Sequence, residues 1–250
     1  MSIEQNIDII ISDNRFGFRS SKTTNIFLSH QLKIKGPLFI MKLVNIINEL
    51  FIQRFDHCWV PDFENSLLSG ELSNSKLPQT NIGPLSRFEK NVTERTKYKY
   101  KYLAIISGPE PQRGQFEKEI QNCFLKINAH CAIINGITNT KETSTKNITI
   151  YPHLETSVFL EVISTSELVI CRSGYSSIMD LYFLEKKVFF IPTPGQPEQE
   201  YLAEYHLETH GIHYQKQGVI NLDLVKFNFI NPKSRIKKKL LEAAFNKVNL

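Results

Sequence analysis

Small polar residues follow an aliphatic run in the second half of the chain. Residues 168–171 (LVIC) have the continuous apolar character of a buried strand, and the segment after them contains Ser173, Gly174, Ser176 and Ser177. Glycine permits a tight turn and lets a ligand approach the backbone. Serines at the start of a helix lie beside N–H groups that lack intrahelical acceptors, and together with the helix dipole these groups favour an anion such as phosphate. The spacing therefore allows a phosphate-binding turn between a strand and a helix.

An acidic residue follows the same turn at a distance that has two interpretations. Asp180 lies one helical turn after Ser177, where a carboxylate could reach the ribose hydroxyls of a bound nucleotide. The spacing Ser177-x-x-Asp180 is also that of a capping box, which does no more than start a helix. From the spacing alone, the capping box is the favoured interpretation.

Two further polar loops follow aliphatic runs. Ser107 and Gly108 open a loop that leads into a helical segment, and Gln199 and Glu200 enter a helix after a proline-rich loop. Strand ends of an open α/β sheet line one crevice, so the loop at Ser107 and the turn at Ser173 could flank one ligand, and Gln199 and Glu200 could bond a sugar. Taken singly, the first loop is better explained as a proline-rich turn, and Gln199 and Glu200 as ordinary residues of a first helical turn.

Strands and helices alternate along the chain. Aliphatic runs bounded by turn residues predict strands at residues 7–12, 25–28, 58–60, 102–107, 131–135, 148–151, 168–171 and 188–191. Helical periodicity predicts helices at residues 38–55, 115–127, 158–165, 177–184 and 199–210. This order predicts βαβ units and a parallel, doubly wound sheet.

Composition limits the class of protein. The chain has 250 residues, a net charge of +5, 41% apolar and 22% charged residues, which excludes a disordered or collagen-like protein. No apolar run approaches the ~20 residues that span a bilayer. The cysteines form no CxxC pair, so we expect reduced thiols and no zinc knuckle at Cys58, Cys123, Cys131 and Cys171.

Charged segments divide the chain. Residues 89–101 (EKNVTERTKYKYK) predict a linker, and residues 221–232 form a second break. The predicted parts are a first domain at 1–97, a second at 98–222 and a basic tail at 223–250, with an amphipathic helix at 234–249. The first part has few strands, so we expect that it docks on the second or that the chain lacks its natural start.

The motifs of the second part, taken together, resemble a known family. CRSG at 171–174 with Asp180, then PTPGQPEQEYLA, and SGPEPQR before them, resemble the C-terminal nucleotide-sugar-binding domain of GT-B glycosyltransferases. The likeness extends over residues 102–211 and is to the family 28 type, which includes the enzyme that adds N-acetylglucosamine to the lipid-linked peptidoglycan precursor. It implies an α/β, GT-B-like protein with two Rossmann-like parallel-sheet domains, the first incomplete.

The resemblance also implies roles for individual residues. It assigns the diphosphate to the Ser173–Gly174 turn with Ser177, the ribose to Asp180, and the donor sugar to Gln199 and Glu200. Ser176 is a further donor-binding candidate because of its position at the predicted helix start. Ser107 and Gly108 match a glycine-rich loop whose later small residues are prolines here.

The first part resembles, more loosely, the second half of the acceptor-binding domain. SDNR at 12–15, FLSHQ at 27–31 and IGPLSRF at 82–88 carry this likeness. It implies that His30 is a catalytic candidate at the interdomain cleft and that Arg87 reaches the donor phosphates. A structural histidine and a surface arginine are the alternatives. The opening of that domain has no match, so the resemblance implies an N-terminally truncated enzyme.

The expected reaction is hexosyl transfer from a nucleoside diphosphate sugar, a UDP-sugar, to an acceptor hydroxyl. No DxD motif occurs, so we expect metal independence and no cofactor. The expected acceptor is lipid-linked, and the expected location is cytoplasmic, with peripheral membrane contact through the basic tail and no nucleic acid partner. The alternatives are a non-catalytic nucleotide-sugar-binding module or gene fragment, and a βαβ protein unrelated to sugars.

One histidine cluster remains open to interpretation. His206, His210 and His213 have a spacing that could suggest zinc, but the sequence favours surface histidines because Gly211 is expected to end the helix before the third.

Overall fold

A computed structural model describes residues 7–88, 98–138, 141–230 and 239–248. Most of the predicted linker (89–97) and the start of the basic tail helix (231–238) lie outside these residues. The chain forms two compact units, the first comprising Met1–Leu85 with Ile236–Leu250 and the second Ser86–Arg235. We describe each unit by itself.

The first unit contains a four-stranded parallel sheet in the order β1-β2-β3-β4. Its elements are β1 (Ile9–Asp13), β2 (Thr24–Leu28), α1 (Leu38–Ile52), β3 (His57–Val60), a 3-10 turn (Gly70–Ser73), β4 (Thr80–Asn81) and α6 (Leu240–Asn246). Side chains alternate between the two faces of each strand. On one face Phe27 and Val60 pack with Ile52, and on the other Ile26 and Trp59 pack with Ala244.

The second unit contains a six-stranded sheet in the order β10-β9-β5-β6-β8-β7. Its strands are β5 (Tyr100–Ile105), β6 (Cys131–Ile134), β7 (Thr143–Thr145), β8 (Ile148–Tyr151), β9 (Ser166–Cys171) and β10 (Lys187–Phe190). Its helices are α2 (Gln112–Phe124), α3 (Thr156–Ser164), α4 (Tyr175–Leu184) and α5 (Pro197–His210), followed by a 3-10 turn at Leu222–Leu224. The strands that carry site loops, β5, β9 and β10, bury apolar residues toward their carboxyl ends, at 103–104, 168–171 and 188–190, while Lys101 and Lys187 near their starts are exposed.

The predicted α/β fold with parallel sheets is confirmed, and the eight predicted strands and the first five predicted helices are present within a few residues. Of the tail helix predicted at 234–249, α6 covers Leu240–Asn246, and residues 234–238 lie outside the described part of the chain. The prediction of an all-parallel sheet is wrong at one edge, because β7 pairs antiparallel with β8. All three residues of β7 are exposed threonine or serine, so no aliphatic signal marked this strand. The two-residue β4 was missed for the same reason, since both its residues are polar.

Candidate functional site

Three loops of the second unit begin at the same level of the sheet. Ile105 at the end of β5 pairs with Cys171 at the end of β9, and Cys171 pairs with Phe190 at the end of β10. The loops that follow these neighbouring parallel strands therefore start side by side at the carboxyl edge, where open α/β sheets bind ligands. The sequence predicted that the loops after β5 and β9 lie side by side, and in the structure the loop after β10 adjoins them.

A buried arginine that the sequence analysis did not single out connects the three loops. Arg172 is 1% exposed and follows β9 directly. Its Nη1 donates to the carbonyl oxygens of Ile191 (3.0 Å) and Pro192 (3.2 Å), in the loop after β10. The rest of the guanidinium donates to the carbonyl oxygen of Ser107 (3.5 Å), that of Gln112 (3.1 Å) and Gln217 Oε1 (2.6 Å). One side chain thus sets the spacing of all three loops.

Every one of these acceptors of Arg172 is uncharged. The guanidinium also lies over the Phe116 ring, 4.2 Å from its centroid, where the ring face attracts a cation. Burial lowers the pKa of Arg172 to about 10, so the side chain keeps its positive charge at neutral pH. The junction of the loops therefore carries a fixed cation whose charge none of these hydrogen bonds neutralises.

Ser173 and Gln199 fasten the loop after β9 to the helix after β10. Ser173 is fully buried, and its hydroxyl donates to the carbonyl oxygen of Gln199 at 2.7 Å. The Gln199 amide accepts from the Thr193 N–H at 2.9 Å and donates to Gln196 Oε1 at 2.6 Å. Glu200 is exposed and accepts from the Gly195 N–H at 3.2 Å. Of this group, Ser173 faces the interior and Glu200 faces solvent.

Helix α4 begins earlier than its sequence predicted, and its start is not capped by a side chain. Its N-cap is Gly174, which has no side chain to offer, and Ser176 and Ser177 lie in the first turn, the former exposed. The capping-box interpretation of Ser177 and Asp180 is therefore wrong, because Ser177 is not the N-cap. A glycine N-cap leaves the positive end of α4 open to an anion.

Asp180 is held by the segment that leads into the second unit. Its Oδ1 accepts a 2.6 Å hydrogen bond from Ser86 Oγ. Burial raises the pKa of Asp180, while this hydrogen bond and the positive charge of Arg87 partly oppose the shift. Asp180 is thus a half-buried carboxylate near the middle of α4, bonded to the Ser86 hydroxyl and influenced by the charge of Arg87.

Arg87 is exposed but positioned by aromatic rings. Its guanidinium lies 4.7 Å from the centroid of Phe88 and 4.9 Å from that of Phe159, and these two rings stack on each other. Its Nη1 donates to Thr156 Oγ1 at 3.3 Å, at the start of α3. Arg87 also lies close enough to Asp180 for its positive charge to oppose the rise in the pKa of that carboxyl.

Gly108 occupies a backbone conformation reserved for glycine. Its φ is +107°, and a Cβ there would lie 3.6 Å from Thr193 Oγ1 and 4.0 Å from Arg172 Nε. The Thr193 hydroxyl is buried and has no hydrogen-bond partner among the described residues. A buried hydroxyl without a partner is costly, and at a loop junction it indicates a place for a polar ligand.

We expect Gly108→Ala to lower the free energy of unfolding by about 1–3 kcal/mol, because the new side chain must adopt a strained φ. Gly17→Ala is the matched control. Its φ is not positive and a Cβ there would meet no atom within 4 Å, so we expect a change below about 0.5 kcal/mol. Urea denaturation of both variants measures the difference, and equal losses would contradict the assignment of strain to Gly108.

His30 belongs to the first unit. It lies two residues after β2 and is half-buried, next to Ser29, whose N–H donates to the Trp59 carbonyl oxygen at 3.1 Å. All the other candidate residues lie in the second unit. They are Arg87, Ser107, Gly108, Ser173, Gly174, Ser176, Ser177, Asp180, Gln199 and Glu200.

The expectation of surface histidines is wrong for His206, which is fully buried. His206 Nδ1 lies 3.0 Å from His210 Nδ1, and the two rings stack with centroids 4.9 Å apart. Within the described residues, no group of three or more His, Cys, Asp or Glu side chains could hold a metal ion. The four cysteines are free. Across the described ranges, no helix has both the length and the apolar character to cross a membrane.

Comparison with known proteins agrees with this geometry. Residues 117–219 match the family model described as the glycosyltransferase family 28 C-terminal domain. The matched segment includes Arg172, Asp180 and Gln199. No curated protein matches the sequence.

Several solved structures are similar. The kitacinnamycin glycotransferase has a TM-score of 0.60 and 13% identity, with 89% of this chain and 66% of that chain covered. MurG of Acinetobacter baumannii has a TM-score of 0.54 and 10% identity, with coverages of 99% and 68%. Spinosyn rhamnosyltransferase SpnG, solved with thymidine diphosphate, has a TM-score of 0.52 and 12% identity, with coverages of 85% and 60%.

The chain thus spans roughly two thirds of the length of these proteins, and at such low identity the likeness establishes the fold. The two α/β units seen in the structure agree with this fold, and the family match lies within the second of them. The chain has the fold of these GT-B glycosyltransferases, and its residues 117–219 match the C-terminal domain of glycosyltransferase family 28.

Proposed function

We propose that the second unit binds a nucleoside diphosphate sugar and that the protein transfers its sugar to an acceptor hydroxyl. The observation that carries the proposal is the junction of three loops around Arg172, which places a buried cation beside the uncapped start of α4. Both features attract an anion, and a diphosphate is the anion that nucleotide-sugar transfer releases.

The diphosphate would lie between the loop at Gly108 and the first turn of α4. There the N–H groups and the hydroxyls of Ser176 and Ser177 would donate to phosphate oxygens, and Thr193 would supply its unused hydroxyl. Arg172 would contribute its charge without direct contact, since its N–H groups are already bonded to protein acceptors. These groups would stabilise the departing diphosphate without a metal ion.

The ribose and sugar would be recognised on either side of the diphosphate. Asp180 would accept from ribose hydroxyls, and Arg87 would add a positive charge near the same position. Glu200, which is exposed, would face the donor sugar, and Gln199 would hold its loop in place. By this proposal the donor is a ribonucleoside diphosphate sugar, for which UDP-sugars serve as the probe, because Asp180 gains most from a ribose with both hydroxyls.

Binding of nucleotides tests the donor site. We expect a saturating UDP concentration, about 100 times its dissociation constant, to raise the free energy of unfolding by about 2.7 kcal/mol. Uridine should have little effect because it lacks the diphosphate, and thymidine diphosphate should bind more weakly because it lacks the 2′-hydroxyl. Differential scanning fluorimetry and calorimetry measure these differences. Equal binding of uridine and UDP would overturn the proposed diphosphate site.

Transfer needs a separate measurement. UDP release from UDP-sugars in the presence of hydroxyl acceptors, lipid-linked ones included, measures it. We propose His30 as the catalytic group, so His30→Ala should lower this rate while leaving UDP affinity unchanged. UDP binding without any release would favour a nucleotide-sugar-binding module instead.

The peripheral membrane contact proposed for the basic tail involves residues 233–239, of which 233–238 lie outside the described part of the chain.

A further inference from the structure

Helix α1 of the first unit exposes apolar side chains along its whole length. The exposed fractions range from 44% for Ile47 to 100% for Phe39. The exposed apolar face, as we call this surface, consists of Phe39, Ile40, Leu43, Ile46, Ile47 and Leu50. A contiguous exposed apolar surface of this size marks an interaction site.

The rotation of α1 about its axis is set by polar residues that point inward. Asn45 accepts from the Ile34 N–H at 2.7 Å and donates to the Ile34 carbonyl oxygen at 3.1 Å. Asn48 is buried and donates to the Leu32 carbonyl oxygen at 2.8 Å. Turning the apolar residues inward would break these bonds and bury unsatisfied amides. The exposure of the apolar face is therefore a consequence of how α1 is anchored.

The exposed apolar face has the spacing of a helix-pairing seam. Phe39, Leu43, Ile46 and Leu50 follow one another at intervals of four, three and four residues, which is the a/d pattern of a coiled coil. The only charged residues of α1 are Lys42 and Glu49, which lie seven residues apart and hence along the same flank of that seam.

We propose that the exposed apolar face of α1 is covered by the same face of a second copy of the chain, in a two-fold antiparallel helix pair. In that arrangement Leu43 packs against Ile46 of the second copy. The N-terminal end of each helix then lies beside the C-terminal end of the other. Lys42 of each copy then lies beside Glu49 of the other, and two-fold symmetry forms this ion pair twice.

The size of the surface fits a dimer interface. Six large side chains with these exposed fractions offer on the order of 700 Å² per copy, and a standard interface buries about 800 Å² on each side. Leu43 and Ile46 of the seam supply the apolar centre of that interface. Lys42 and Glu49 supply its polar rim.

The charge pattern favours a second copy over a lipid surface. Helices that lie on anionic membranes carry lysine and arginine along their polar flank. The flank of α1 carries one lysine and one glutamate, which is unfavourable for anionic lipid but self-complementary in an antiparallel pair.

Sedimentation of the full chain over a range of concentrations tests the dimer. We expect a monomer–dimer equilibrium, and we expect Leu43→Lys to weaken dimerisation at least about thirtyfold by placing a charge in the seam. Val219→Lys is the control, since Val219 is 70% exposed but lies outside α1 and should leave the dimer intact. Circular dichroism checks that both variants keep the wild-type fold. A monomer at every concentration would overturn the proposal.

Charge reversal tests the antiparallel orientation. Lys42→Glu and Glu49→Lys each place like charges opposite one another twice, so each should weaken the dimer about tenfold. The double variant Lys42→Glu/Glu49→Lys restores both pairs and should restore the wild-type dissociation constant. Failure of the double variant to recover would overturn the antiparallel arrangement.

A lipid surface is the competing occupant of the exposed apolar face, and binding to vesicles that contain anionic phospholipid tests it. We expect no binding that depends on α1. If vesicle binding falls with Lys42→Glu, rises with Glu49→Lys and is lost with Leu43→Lys, while the protein stays monomeric, the face is a lipid surface and the dimer proposal is wrong.

Discussion

Arg172→Met is expected to lower the free energy of unfolding by about 3–5 kcal/mol and to raise the dissociation constant of UDP at least tenfold. Methionine matches the length of the arginine stem but donates no hydrogen bonds. The buried carbonyl oxygens of Ile191 and Pro192 and the amide of Gln217 would lose their partner. The three loops would also lose the side chain that spaces them. Urea denaturation and calorimetry with UDP measure the two effects.

Arg113→Met is the matched control for this substitution. Arg113 also lies in the second unit, and its guanidinium pairs with Glu110 at 3.2 Å and Glu117 at 3.3 Å. Ion pairs near the surface contribute little, so we expect a loss below about 1 kcal/mol and unchanged UDP affinity. Arg172→Lys should be intermediate, because it keeps the charge but replaces a planar fork with a single ammonium group. Wild-type stability of Arg172→Met would show that the loops are positioned by other contacts.

Asp180→Asn is expected to weaken UDP binding about tenfold or more without lowering stability at neutral pH. The amide keeps the shape of the carboxylate but loses the charge that would accept from both ribose hydroxyls. Because burial raises the pKa of Asp180, its ionised form is disfavoured in the folded state. Removing that charge should leave the free energy of unfolding at pH 7 equal to the wild-type value or higher.

The pH dependence of Asp180→Asn has a definite sign. A group with a raised folded-state pKa contributes its full stability below its unfolded pKa, near pH 4, and this contribution is lost as the pH rises through the folded-state value. The advantage of the asparagine variant should therefore shrink as the pH falls towards 4. Asp223→Asn, at an exposed site of the same unit, should change neither stability nor affinity. A variant less stable than wild type at pH 7 would indicate that Asp180 has a structural role instead.

The arrangement of the sheet was predictable because buried parallel strands have uninterrupted apolar sequences. The aliphatic runs at 168–171 and 188–191 predicted β9 and β10. They therefore also predicted the edge of the sheet at which the loops after these strands begin. Beta strand β7 could not be predicted, because an exposed edge strand of threonine and serine has no apolar periodicity. Local sequence identifies strands by what they bury, and β7 buries almost nothing.

For the candidate site, the sequence predicted which strand ends carry its loops but not the contacts among their residues. The spacing of Ser177 and Asp180 favoured a capping box, yet the actual partner of Asp180 is Ser86, which is far away in sequence. Arg172 lies within the same CRSG motif as Ser173 and Gly174, but its acceptors come from segments that only the tertiary fold brings together. A basic residue directly after an entirely apolar strand was the one available signal for its burial.

The first unit is assembled from two stretches of chain that are synthesised far apart in time. Its sheet is complete at β4, but the face with Ile26 and Trp59 stays uncovered until α6 brings Ala244 and Phe245, whose ring meets Trp59 edge-on at 4.9 Å. The second unit is one continuous segment, so it can complete its own core on the ribosome before the first unit can. Until α6 emerges, the single tryptophan of the chain lies on an uncovered apolar face, which favours aggregation of the nascent protein.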